Sequence, residues 1–276
     1  MSEKIVAIVP LNNFDSNVES LDLDDRINLR RASEGEIQKL KESFPDIRGH
    51  LKIALQNVKY VLEWNALVWI DDKPAIVFGH LSPEVTDTIL ALRLLKSGDV
   101  TVSCGFALDK NGIYGLSGPS LPPMLPIPSG NTYFLKEEEI SSFIILWKKL
   151  QYVHYDKLHL KFPLEQFTRT FEGYFGEEKI VGYMTAFESL LFHKIKKPIP
   201  KPIGKAMGIA VGMLLGNNQN ERLKIRDTFE TAYEIRNLTV HGEIEGLKKK
   251  YGKELLTIPM NIEDYLRRVL RKFVEE

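Results

Sequence analysis

In the segment "YEIRNLTVHGE" (residues 233–243), Arg236 and His241 are residue types suited to chemistry at a phosphate. The Arg236 guanidinium presents a planar fork of donors that matches phosphate oxygens. The imidazole of His241 belongs to the side chain that titrates near neutral pH and moves protons as an acid or a base. Asn237 adds an amide beside the arginine. On an ideal helix, positions five apart differ by about 140° in direction and ~7.5 Å along the axis. Arg236 and His241 therefore do not stack on one face, whereas Asn237 and His241, four apart, share one. Gly242 is a natural helix terminator, which places His241 in the last turn. Spacing alone leaves two readings open: a phosphate-handling constellation, or a capped and solvated helix end.

The remaining candidates are weaker. Glu188 interrupts an apolar helix face in "AFESLLF" (186–192). It reads either as a carboxylate that orients Arg236 or His241, or as a structural ion pair or cap holding helices in register. "HKIKKPIPKPIGK" (193–205) carries Lys194, Lys196, Lys197, Lys201 and Lys205 among three prolines. It reads as a basic loop along a nucleic-acid backbone or as a solvated connector. "KKKYGK" (248–253) and Arg267, Arg268, Arg271 and Lys272 read as ordinary surface charge. Gly208, Gly212 and Gly216 recur every four residues without the surroundings of a phosphate loop, so they point to close helix packing. His154 and His159 are poorly spaced for ligands on one helix face, and His50, His80 and His193 are isolated in sequence. No G-x-S-x-G elbow or catalytic-cysteine context is present.

These residues need a frame. The chain has 276 residues, 43% hydrophobic and 27% charged, which is enough for one large domain or two ordinary ones. Net charge is zero but unevenly spread: residues 1–130 hold 13 Lys+Arg against 17 Asp+Glu, and residues 131–276 hold 24 against 20. A C-terminal half that meets a polyanion fits this bias. The longest apolar run, "AMGIAVGMLLG" (206–216), is far short of the ~18 residues of a spanning helix, so no membrane partner is expected. Cys104 is the only cysteine, which excludes an internal disulfide and a cysteine-rich zinc site. With no secretory signal pattern at the N-terminus, these features point to the cytoplasm.

Five prolines in "GPSLPPMLPIPSGN" (118–131) mark an extended connector. It divides an α+β domain (1–118) of unassigned role from an all-α helical bundle (132–276), with a Pro-rich linker at 119–131. In the first part, "KIVAIVPL", "INLRR", "KYVLEW", "ALVWI", "AIVFGH" and "DVTVSCGFAL" read as strands. "SEGEIQKLKESF" and residues 82–98 read as helices, the former capped by Ser33. In the second part helices are expected over 136–153, 163–175, 177–194, 205–215, 221–241 and 261–276. Pro163 is taken as a helix start. The apolar stripe of the third of these helices is Ile180, Met184, Phe187 and Leu191.

The stretch from Tyr183 to Glu243 resembles the HEPN superfamily, most closely its ApeA-like branch. The resemblance lies in "AFESLLF", then a small-residue helix ending "MLLG" (213–216), then "YEIRNLTVHGE", in that order and approximate spacing. "PLNNF" and "INLRRASEGEIQKL" also look like proteins that carry this module behind an α+β region. The resemblance implies a helical bundle that forms a homodimer, bringing two R-x4–6-H motifs into one cleft. It implies a metal-independent endoribonuclease of phage-defence, toxin–antitoxin or RNA-processing systems, with RNA as substrate and an antitoxin or defence protein as possible partner. Arg236 would hold the scissile phosphate, His241 would act as acid or base, and Asn237 fills the polar position beside the arginine. Attack by the RNA 2′-hydroxyl, leaving a cyclic phosphate, needs neither metal nor cofactor. Other HEPN domains only bind RNA, a nucleotide or a protein partner, and that alternative stands beside the enzymatic one. Glu243 occupies the position where HEPN toxins paired with small nucleotidyltransferases carry a modified tyrosine, so control by nucleotide attachment there is not expected.

Overall fold

Alternating apolar residues in the first part form strands in the computed structural model of the chain. It describes residues 6–44, 48–65, 68–70, 73–75, 83–102, 104–109, 112–117, 132–171, 176–194 and 201–276. The strands are β1 (Val6–Asn12), β2 (Phe14–Ser16), β3 (Ser20–Asp22), β4 (Ile27–Arg31), β5 (Tyr60–Asn65), β6 (Val68–Ile70), β7 (Lys73–Ala75), β8 (Thr101–Val102), β9 (Gly105–Asp109), β10 (Gly112–Ser117) and β11 (Tyr133–Leu135). The helices of this part are α1 (Glu34–Glu42), α2 (Arg48–Ala54) and α3 (Pro83–Leu95). The main sheet has the order β10-β9-β1-β5-β4-β3, with β8 also paired to β1. Its pairings are antiparallel, and β1 runs against β5 from Val6↔Asn65 to Leu11↔Tyr60. Ile37, Leu40, Leu51 and Leu55 of α1, α2 and the turn after α2 pack on Ile8, Val61 and Phe106 of the sheet. Ser33 caps α1 as expected, its hydroxyl accepting from the Glu36 amide. The strand expected over "AIVFGH" and the proline-rich 119–131 lie outside the described residues, apart from Ala75 at the end of β7.

The second part is helical: α4 (Ile140–Asp156), α5 (Leu158–Arg169), α6 (Glu177–Phe192), α7 (Ile203–Leu215), α8 (Gln219–Val240), α9 (Ile244–Tyr251) and α10 (Glu254–Glu275). The chain divides into two compact units, Met1–Arg93 with Ser97–Trp147, and Leu94–Lys96 with Lys148–Glu276, so the division falls within α4. In the second unit α6 packs against α5 and α8, α7 against α8, and α10 against α5, α6, α7 and α8. No described helix is long and apolar enough to cross a membrane.

Two helix starts differ from the sequence expectation for one reason. Helix α5 begins at Leu158, before Pro163, and α10 begins at Glu254, before Pro259. Proline suits the first helical position, but it also ranks among apolar fillers when its missing amide costs less than its burial returns. Pro163 lies with Leu160, Leu164 and Phe167 on the buried face of α5, and Pro259 lies with Ile258 and Ile262 on that of α10. The apolar stripe of α6 runs through Ile180, Tyr183, Met184, Phe187 and Leu190, with Leu191 only half-buried.

Candidate functional site

The site is carried by α8, and both ends of that helix are fixed by its own sequence. At the start, Asn218 is the N-cap, its side chain accepting from the Glu221 amide at 3.0 Å. Along its length Ile225, Thr228, Phe229, Ala232 and Ile235 form the buried stripe. At the end, His241 is the C-cap and Gly242 follows with φ +75°. The Gly242 amide donates to the Thr239 carbonyl at 3.1 Å, and the Glu243 amide to the Leu238 carbonyl at 2.8 Å. These two bonds are the Schellman pattern, which requires the left-handed conformation that glycine adopts freely. A methyl group at residue 242 would meet nothing within 4 Å, so only the backbone resists it. Gly242→Ala is expected to destabilise the second unit by about 1 kcal/mol, read as a lower midpoint in urea unfolding. An unchanged midpoint would show that this turn does not hold the helix end.

Helix α7 sets the other wall. Built Cβ atoms at Gly204, Gly208 and Gly216 would lie 2.6 Å from Tyr233 Cβ, 2.7 Å from Arg226 Cα and 2.6 Å from Arg222 Cγ. The pairing of residue 204 with 233, and of 216 with 222, makes α7 and α8 an antiparallel hairpin with backbones in close approach. The glycine spacing therefore serves packing, as expected. A consequence for the site is that the first turn of α7 abuts Tyr233. That turn has no side-chain cap and no acidic residue, so the partial positive charge of its free amides stands one turn from Arg236.

Arg236 is half-buried, and its Nη1 donates to Asn237 Oδ1 at 3.2 Å. Its guanidinium carbon lies 5.7 Å from the Tyr233 ring centre, a cation–π distance. No carboxylate of a described residue pairs with it, and its Nε is enclosed without a hydrogen-bond partner among the described residues. Glu188, on α6, also has an enclosed oxygen, Oε1, without a partner among them. Glu188 forms no ion pair among the described residues. Its charge is nevertheless felt at α8. Burial raises the Tyr233 phenol above its ordinary pKa, the Glu188 charge raises it further, and Arg236 opposes both. Glu188, Tyr233, Arg236 and Asn237 thus form one electrostatically connected group. Tyr233 carries no signal of its own in the sequence beyond standing three residues before Arg236, one helical turn away.

His241 stands apart from this group. It is exposed, and its ring makes no hydrogen bond or ion pair with a described residue. Within one chain, the arginine and histidine are presented by the same helix without converging. The helix after it is tied back to α8: Lys250 and Tyr251 of α9 both bond the Glu234 carboxylate.

Comparison with protein-family models, with curated proteins and with solved structures finds no match. The geometry of the chain itself has to carry any functional reading.

Of the five lysines, Lys194, Lys201 and Lys205 are exposed at the end of α6 and the start of α7, and Lys196 and Lys197 lie outside the described residues. His193 is isolated in sequence but not in space: its ring stacks on that of His159, centroids 4.6 Å apart and planes 13° from parallel. The side chain of His154 lies outside the description. Among the described residues no three His, Cys, Asp or Glu side chains group as metal ligands.

Proposed function

We propose that the helical second unit is a HEPN-type endoribonuclease that works without a metal ion, as a cytoplasmic homodimer, in a defence or toxin system. The observation that carries this reading is Arg236. A buried guanidinium is ordinarily paired with a carboxylate, whereas half-buried Arg236, its Nε enclosed, is held by Asn237 and Tyr233 and by no acid of a described residue. A phosphodiester supplies the missing anion. The RNA 2′-oxygen attacks phosphorus as it loses its proton, a cyclic phosphate forms, and the 5′-oxygen leaves with a proton gained. His241 of one chain takes or gives one of these protons, and its counterpart in a second copy handles the other. The awkward spacing of Arg236 and His241 fits a cleft made from two such helices. Asn237 and Tyr233 hold the guanidinium in place, and Glu188 acts on Tyr233 rather than on the substrate.

The full-length chain is expected to cleave RNA in the presence of a metal chelator and to leave cyclic phosphate ends. Arg236→Ala should slow this by about 10²–10³-fold, the scale for removing one charge-stabilising donor. Cleavage that persists at full rate in this variant, or that leaves other ends, sinks the reading.

The second reading is a module that binds RNA, a nucleotide or a protein partner without cleaving. It is favoured by the His241 ring, which no group of a described residue orients. Salt-dependent RNA binding with no product at any enzyme concentration would establish it.

A further inference from the structure

A second cluster of titratable groups lies where the start of α5 meets the end of α6, and the proposed reaction does not use it. His159 of α5 stacks on His193, the C-cap of α6, at 4.6 Å. The His193 ring is fixed by its Nδ1, which lies 3.0 Å from the Leu190 carbonyl. A carbonyl only accepts, so Nδ1 carries the hydrogen and Nε2 is the nitrogen left out of that bond. Lys194 follows directly and is exposed. Lys157, before α5, donates to the Phe273 and Val274 carbonyls at 2.8 and 3.4 Å and closes the side facing α10.

The charges that act on His159 have one sign. Burial lowers the His159 pKa, and the further contributions all come from cations: His193, Lys194 and Lys157. The groups that act on it are His193 and Lys194 from α6 and Lys157 from the α4–α5 junction, which is engaged by the end carbonyls of α10; Asp156, beside Lys157, is exposed. No carboxylate of a described residue is among the charges that act on it. Stacked rings also decide the class of ligand. A metal must lie close to the plane of each imidazole it binds, at about 2.0–2.1 Å, and two parallel planes held apart share no such point. Ring N–H groups and an ammonium group instead suit an oxyanion placed at the edge of the stack.

We propose that His159, His193 and Lys194 form a phosphate-binding site, which takes the phosphate of a nucleic-acid strand or of a free nucleotide. An anion there relieves the like-charge repulsion and favours the protonated His159 imidazole, so binding tightens as pH falls through the histidine range. The site stands whether or not Arg236 and His241 cleave RNA, because its readouts are binding and ring titration.

The test uses the full chain, with inorganic tripolyphosphate and a short single-stranded RNA as separate probes. Nitrogen NMR of the rings should show the His159 titration moving to higher pH when tripolyphosphate is added. Affinity for at least one probe should be about tenfold higher near pH 6 than near pH 8. His159→Gln with His193→Gln should lower it by at least about tenfold at the acidic pH. Lys194→Gln, at an exposed position, should lower it without touching the stack, and so guards against misfolding of the double variant. Equal affinity for both probes assigns a free phosphate compound; a clear preference for RNA assigns a strand. An unmoved His159 titration, or binding unaffected by these substitutions, overturns the proposal.

Discussion

Replacing His241 with alanine is expected to lower RNA cleavage by about two to four orders of magnitude, the range for a positioned acid or base. The fold should hardly notice. The ring is exposed and bonds no described group, and the part of His241 that closes α8 is its backbone amide, donating to the Asn237 carbonyl at 3.0 Å. Alanine keeps that amide, so the stability change should stay within about 0.5 kcal/mol. Single-turnover cleavage and urea unfolding, measured on the same preparation, separate the two effects. A large loss of rate with an unchanged unfolding midpoint supports a chemical role. An unchanged rate removes His241 from the mechanism, and a loss that tracks unfolding would assign it to the helix end instead.

Gly208→Val should destabilise the second unit by about 2–3 kcal/mol, near the upper end for overpacking. A Cβ at this position would stand 2.7 Å from Arg226 Cα, 2.9 Å from the Arg226 carbonyl oxygen and 2.9 Å from Phe229 Cβ. Two of these are backbone atoms of α8, which cannot rotate away, so the helices themselves must part. Valine's better helix propensity returns only a few tenths of a kcal/mol. Gly35→Ala is the contrasting control: a methyl group there meets nothing within 4 Å on α1, so the change should be neutral or stabilising by up to ~1 kcal/mol. Denaturant midpoints for both variants provide the measurement. If Gly208→Val unfolds at the parent midpoint, the two helices do not need their backbone contact.

How much of this was legible beforehand depended on whether the signal was local. The end of α8 is a property of Gly242 and its neighbours, and the start of α1 is a property of Ser33 and Glu36; both read directly from sequence. The glycine stripe named its own packing role because its period matches a helix face. Pro163 misled because its positional preference is local while its burial against other helices is not. The stacking of His159 on His193 joins two helices at opposite ends of their own segments, and no spacing rule connects them. Tyr233 gained its interest only when Glu188 of α6 came within electrostatic reach. Convergence of Arg236 with His241 is not a property of one helix at all.

The close hairpin of α7 and α8 also orders the way this region assembles. Contact between Gly216 and Arg222 closes only the short turn, whereas contact between Gly204 and Tyr233 closes the whole hairpin, and the entropy lost on closure grows with the chain enclosed. Zippering therefore runs from the turn towards the open end. Tyr233 and Arg236 sit at that open end, where closing the hairpin costs the most chain entropy.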